Sequence, residues 1–386
     1  MFEQKIKELA SQAGITINGD QPWDVQVYDK RLYRRVVLDG ALGLGESYME
    51  GWWECQEMDE LFYRLMLVVR SNTYSNWKGR LDVLKSKLIN LQSIKRSRKV
   101  AEIHYNLGNS FYKRMLGDAM AYSCGFWQKA DDLQKAQFDK YELICRKLML
   151  QEGEWVLDIG CGWGGLAKYM AENYKCNVVG INISEEQVKY GQEHCKGLPV
   201  TITKSDYRYP KTYNPGKRNF DKIVSVGMFE HVGPKNFQEY FRIMGSQIKK
   251  DGLFLLHTIG ANQTGTVGNS WMHKYIFPEG VLPSGNQITK ASEGYFMIED
   301  WHNFGPDYDK TLMAWYRNFE NYWNDKMADP EKDLDLNGKN MTLFYKMWRY
   351  YLLQCAGLFR SRYCQLWQIV FSIHYPGGYP SIRQID

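Results

Sequence analysis

The richest run of chemistry-bearing residues is Val156-Leu157-Asp158-Ile159-Gly160-Cys161-Gly162-Trp163-Gly164. An apolar stretch with one acid meets three alternating glycines, as a strand-to-helix turn requires if a ligand is to approach its backbone. Free amides and a helix start at such a turn favour an anion. The glycine spacing alone is weak evidence for any particular cofactor, but its surroundings narrow the choice. The next strand-like run ends Val179-Gly180-Ile181-Asn182, without the acid that a nicotinamide dinucleotide's ribose needs. The third is followed by Ser205-Asp206-Tyr207, an acid and a ring where an adenine fits. Four more groups fall in distinctive contexts: Cys124 in Tyr122-Ser123-Cys124-Gly125-Phe126-Trp127, Glu230 in Gly227-Met228-Phe229-Glu230-His231-Val232-Gly233, His257 in Leu255-Leu256-His257-Thr258-Ile259-Gly260, and Tyr308 in Asp307-Tyr308-Asp309.

The elements that must position these residues can be read from hydrophobic periodicity. Short apolar runs at Trp155–Ile159, Asn177–Ile181, Val200–Thr203, Lys222–Val226 and Leu253–His257 predict strands. Helical patterns at Gly164–Tyr174, Ser184–Glu193 and Lys235–Ile248 lie between them, the second opened by Ser184 as a cap. Strands alternating with helices predict an α/β, doubly wound parallel sheet. In such sheets ligands bind beyond the carboxyl ends of the strands, where Gly160, Glu230 and His257 all fall. Helices are further predicted at Tyr308–Trp323 and Met341–Phe359, with a closing aromatic strand at Cys364–Ile373. Residues 261–303 read as a long irregular insertion. Residues 1–77 read as a smaller α+β domain containing a helix from Asp59 to Arg70, with Asp39–Gly45 turn-rich.

Between these regions, residues 78–99 hold eight Lys/Arg and one acid, with Leu81, Leu84, Leu88 and Leu91 at helical spacing. Such a stripe suits either an anionic lipid surface or a solvated interdomain helix. The net charge of +5 is too small to argue for nucleic acid. An aromatic share of 15%, with 27 Tyr and 13 Trp, fits a protein that encloses something apolar or cationic. No signal-peptide layout opens the chain and no apolar run approaches spanning length, so a cytoplasmic protein is expected. The eight cysteines form neither a CxxC pair nor a zinc spacing, so free thiols and no metal are expected.

The ordered set of glycine turn, Asp158, Asn182 and Ser205-Asp206-Tyr207 resembles the class I AdoMet-dependent (S-adenosylmethionine-dependent) methyltransferases, which have a Rossmann-like fold. The resemblance implies a methionine carboxylate at the Gly160–Gly164 turn and adenine near Asp206. With His104-Tyr105-Asn106-Leu107-Gly108-Asn109, Tyr275-Ile276-Phe277-Pro278-Glu279-Gly280 and the four contexts above, the chain is similar over essentially its whole length to the bacterial cyclopropane fatty acid synthases. Its extra N-terminal domain matches their longer form.

That resemblance implies methylene transfer from AdoMet to a cis double bond of a phospholipid acyl chain. It implies bicarbonate as the base, held by Cys124, Glu230, His257 and Tyr308 with the backbone near Ile259. Tyr122, Ser123, Gly160 and Gln187 would line the cofactor site with Asp158, Gly162, Gly164, Asn182, Asp206 and Tyr207. A homodimer docked peripherally on anionic phospholipid is implied as well. Taken singly, each residue also has a structural reading. Cys124 could be a small apolar residue, Glu230 and His231 a structural pair, His257 a satisfied core histidine, and Tyr308 a helix-start aromatic. A small-molecule N- or C-methyltransferase is the rival enzyme, and a non-catalytic, nucleic-acid-directed protein the rival class.

Overall fold

The computed structural model describes residues 2–71, 108–265, 269–278, 280–325 and 340–385. The basic segment 78–99, residues 104–107 and Glu279 lie outside the described residues. Near the N-terminus, β1 (Gln26–Val27) pairs antiparallel with β2 (Trp53–Glu54) among helices Phe2–Gln12, Arg31–Asp39, Ala41–Met49 and Met58–Ser71. Seven strands follow in one sheet: β3 (Trp155–Ile159), β4 (Asn177–Asn182), β5 (Val200–Lys204), β6 (Phe220–Val226), β7 (Ile248–Ala261), β8 (Met297–Asn303) and β9 (Cys364–Ser372). Their order is β5-β4-β3-β6-β7-β9-β8. The pairs from β5 to β7 are parallel, while β9 is antiparallel to both β7 and β8.

The chain leaves β3 toward β4 and β5, then crosses back to β6 on the other side of β3. The carboxyl ends of β3 and β6 therefore form the switch point at which doubly wound sheets leave a crevice. All nine residues of β9 are buried, as a strand covered on both faces requires.

Two expectations fail. Residues 261–303 are not one irregular stretch: they contain helices Ser270–Tyr275 and Gly285–Ser292, and β8 closes the sheet. The Met297–Asn303 strand escapes the periodicity reading because it is a bulged edge with little buried surface. Likewise, Asp39–Gly45 is the junction of two helices, broken at Gly40 (φ 59°). The glycines inside the second helix serve close packing: a Cβ on Gly43 would lie 2.5 Å from the Arg35 carbonyl oxygen, and one on Gly45 2.3 Å from the Trp271 ring.

Residues 2–71 do not keep a core to themselves. Trp53, Met58 and Phe62 belong to one apolar cluster with Trp271, Tyr308, Trp315, Trp348 and Tyr350. Gly357 lets helix Met341–Arg360 approach Met58–Ser71 so closely that a Cβ there would sit 2.6 Å from the Asp59 carbonyl oxygen. Arg360 fastens the same junction, 2.7 Å from Asp59 and 3.0 Å from Asp309.

Candidate active site

At the switch point the glycine turn follows β3 with Gly160, Gly162 and Gly164 all at positive φ (78°, 55° and 84°). Gly160 is needed sterically as well, since a Cβ there would stand 2.8 Å from Met228 Cβ after β6. The turn bounds a cavity of about 190 Å³. Tyr122, Ser123, Asp158, Gly160, Gly162, Asn182, Gln187, Asp206 and Tyr207, all assigned to the cofactor site from the sequence, line it. Gly164 does not: it is buried against Ile202 and Cys195, where it serves packing.

The amides of this turn are largely committed. Gly160 and Cys161 both donate to the Ile181 carbonyl (2.9 and 3.1 Å), and Gly164 donates to Cys161 (2.9 Å). The Gly162 amide and those at the helix start from Gly165 are not among these bonds, and both residues line the cavity. Asn182 ties the second strand to the turn, donating to Gly162 O at 3.2 Å and to Gln187 Oε1 at 2.8 Å. Asp206 accepts from Arg208 Nε at 2.8 Å, a partner the sequence reading did not foresee. Tyr122 donates to the Tyr351 hydroxyl at 3.0 Å and packs beside Trp315, with Phe277 beyond it. Pro278, in the insertion, completes the wall.

Asp158 is buried, and its Oδ2 has no protein partner among the described residues. Burial pushes its carboxyl up to about 7. An orphaned acid of this kind suits a ligand ammonium. With the glycine cradle, it makes the residues present a fit for an amino-acid-bearing nucleoside.

Cys124, Glu230, His257 and Tyr308 are buried, and Ile259 half-buried, without forming the cavity wall. They adjoin it through Ser123 and His231 in the chain, and through Gly227, whose amide donates to the His257 carbonyl at 2.9 Å. Glu230 Oε1 accepts from the Ile259 amide at 2.7 Å, while Oε2 has no partner. Burial raises the Glu230 carboxyl to about 7, against the pull of that hydrogen bond. The Ile259 amide is thereby taken by Glu230.

His257 Nδ1 lies 3.2 Å from Gln368 Nε2, and Nε2 has no partner. With the Gln368 amide donating, the neutral ring carries its proton on that free Nε2. Burial, with help from Lys140 and Lys147, holds the imidazole well below its ordinary range. Burial drives the Tyr308 phenol well up, and nearby Cys124 and Glu230 add to the effect. Burial likewise lifts the Cys124 thiol, which lies 3.8 Å from Thr311 Oγ1. The result is a neutral, donor-rich group with two orphaned polar atoms and no nucleophile. Lys140, on the cavity wall, was missed because one lysine among three in helix Leu133–Lys147 carries no local mark of burial.

A family model described as mycolic acid cyclopropane synthetase matches residues 92–369. The chain belongs to this family. It is 50% identical over 366 residues to the cyclopropane-fatty-acyl-phospholipid synthase of Escherichia coli (strain K12), covering 95% of this chain and 92% of that protein. The match therefore takes in N-terminal residues that the family model leaves out. Among solved structures, a mycolic acid cyclopropane synthase complexed with SAH (S-adenosylhomocysteine) and CTAB superposes with a TM-score of 0.61 at 27% identity, covering 71% of this chain and 97% of that one. Coclaurine N-methyltransferase, at 19% identity and a TM-score of 0.66 over 87% of this chain and 99% of its own, shares the fold alone. The fold is that of the class I AdoMet-dependent methyltransferases, as expected from the order of motifs.

Proposed function

We propose that this family member is a cyclopropane-fatty-acyl-phospholipid synthase, transferring a methylene from AdoMet to the cis double bond of a phospholipid acyl chain. The observation that carries the reading is the neutral, buried set Cys124, Glu230, His257 and Tyr308 beside a cofactor cavity at the sheet's switch point. Support comes from the E. coli relative, whose name states this activity.

When bound, AdoMet supplies an electrophilic methyl group. The residues of this chain must then exclude water and hold the weakly nucleophilic alkene in line. Tyr122 presents a ring to the cavity and is backed by Phe277 and Trp315, with Tyr351 against Phe277, an aromatic cluster suited to cationic charge developing on the acyl chain. A thiol and a phenol held far from ionisation give the cation nothing to react with. Ring closure requires loss of a proton from the new methyl group. Bicarbonate would supply the base, with Glu230 Oε2, His257 Nε2, the Tyr308 hydroxyl and the Cys124 thiol as its holding groups. Glu230 in its protonated form donates rather than repels, which removes the objection to a carboxylate beside an anion.

Among the described residues no helix is long and apolar enough to cross a membrane. We further propose a homodimer that visits the inner face of the cell membrane peripherally through anionic lipid, with Lys85, Lys87, Lys95 and Arg96 of the basic segment as the docking charges. The test is mass spectrometry and NMR of fatty acids from cis-unsaturated phospholipid vesicles incubated with protein and AdoMet. Gain of CH2 with loss of the alkene and appearance of ring protons is expected. Unchanged lipid, with a soluble amine methylated instead, would sink the reading. Co-sedimentation with anionic vesicles but not neutral ones tests the docking, and sedimentation velocity the dimer.

A further inference from the structure

Lys140 stands in the middle of helix Leu133–Lys147, is 1% exposed and forms part of the cofactor cavity wall. Its ammonium donates to Ser123 Oγ at 2.8 Å and to Gln137 Oε1 at 2.6 Å. Gln137 in turn donates to the Ser123 carbonyl at 2.9 Å, so the pair fixes that residue by both side chain and backbone. An ammonium has three N–H groups. No third acceptor meets this one among the described residues; its remaining neighbour is the Tyr141 ring at 4.9 Å.

Nor does a carboxylate pair with it among the described residues. Asp139 on the same helix is taken by Lys135, and Asp206 across the cavity by Arg208. Burial draws Lys140 down to about 7. An unpaired ammonium is costly to bury, and such groups persist where a ligand completes them. On the opposite wall the Gly160 and Cys161 amides are already bonded, so Lys140 adds a charged donor to those the helix start can offer.

We propose that Lys140, together with Ser123, anchors a carboxylate-type oxyanion in this cavity through its remaining N–H. Two ligands of the proposed reaction carry that chemistry, the amino-acid carboxylate of AdoMet and bicarbonate. The assignment rests on reading the cavity as the AdoMet site. The first ligand fits the wall further, since the orphaned Asp158 Oδ2 suits an ammonium and an amino acid brings both charges.

Calorimetric titration of wild type and Lys140→Met with S-adenosylhomocysteine, which keeps the carboxylate, and with 5′-methylthioadenosine, which lacks it, separates anchoring from shape. Loss of a charge-assisted hydrogen bond should weaken S-adenosylhomocysteine by on the order of tenfold or more and leave methylthioadenosine unchanged. If instead both nucleosides bind as in wild type while half-saturating bicarbonate rises by a similar factor, the oxyanion is bicarbonate and the assignment stands. Equal weakening of both nucleosides overturns it, as does a variant in which neither S-adenosylhomocysteine binding nor the bicarbonate requirement moves. Should the Met variant fail to fold by circular dichroism, Lys140→Gln, which keeps a donor near Ser123 without the charge, is read by the same criteria. A wild type that binds neither nucleoside overturns the reading of the cavity, and this assignment with it.

Discussion

Replacing Glu230 by Gln should abolish most activity and yet make the protein more stable at alkaline pH. The carboxyl is buried, with one oxygen bonded to the Ile259 amide and the other unpartnered. In the unfolded chain it ionises near 4.5, and in the fold near 7. Between those values unfolding releases a proton, so folded stability from this group is fully present below 4.5 and is lost as pH rises through 7. The separation corresponds to about 3 kcal/mol of stability, all of it lost once the pH is above 7. Gln keeps the acceptor for Ile259 and puts N–H where the protonated acid has O–H, but it never ionises. Equilibrium urea unfolding of both proteins from pH 4.5 to 8 should show midpoints that coincide in acid and diverge toward pH 8, with Glu230→Gln the more stable by about 3 kcal/mol. Other titrating groups are common to both proteins and cancel in the difference. Turnover should fall on the order of a hundredfold or more, as for loss of a positioned acid or base. A stability difference that is flat with pH, or a variant less stable at pH 8, would refute the claim that burial holds this carboxyl protonated.

Two further outcomes follow from glycines whose missing Cβ matters. Gly160→Ala forces an L-residue to φ 78° and a methyl to within 2.8 Å of Met228, which should cost about 1–2 kcal/mol in backbone strain alone. S-adenosylhomocysteine affinity should drop with it, and unaltered calorimetric binding would contradict the role given to the turn. Gly45→Ala places a methyl 2.3 Å from the buried Trp271 ring. The overpacking cost of about 1–3 kcal/mol should outweigh the helix-propensity gain of about 1 kcal/mol. A melting temperature equal to or above wild type would show that Trp271 yields freely.

Much of the fold and site was legible because local pattern and tertiary position agree there. Parallel strands buried on both faces must be apolar runs, and β3, β4, β6 and the core of β7 read as such, while the edge strand β5 alternates. A turn that admits a ligand must be built of glycine, and residues meant for the site fall just past strand ends. Nine of the ten residues assigned to the cofactor site line the cavity, although Tyr122, Ser123 and Gln187 among them came from the family resemblance and follow no sheet strand. The N-terminal glycines misled because glycine allows both a turn and a close helix contact, and Gly45 is inside a helix against Trp271, more than 200 positions away in the chain. Edge strand β8, half-exposed and bulged, lacks the clean pattern that burial imposes.

The sequence by itself determined the kind of sheet, the glycine turn and the residue types gathered at the strand ends, because each is a local consequence of burial or backbone geometry. Only the tertiary structure decided which charges lose their water. Lys135 and Lys140 share a helix, yet one is half-exposed and salt-bridged while the other is sealed beside Ser123. The same holds for Asp158, for the spent amides of the turn, and for Glu230, whose ionisation is set by its enclosure. Desolvation depends on every element packed around a group, and no local spacing encodes it.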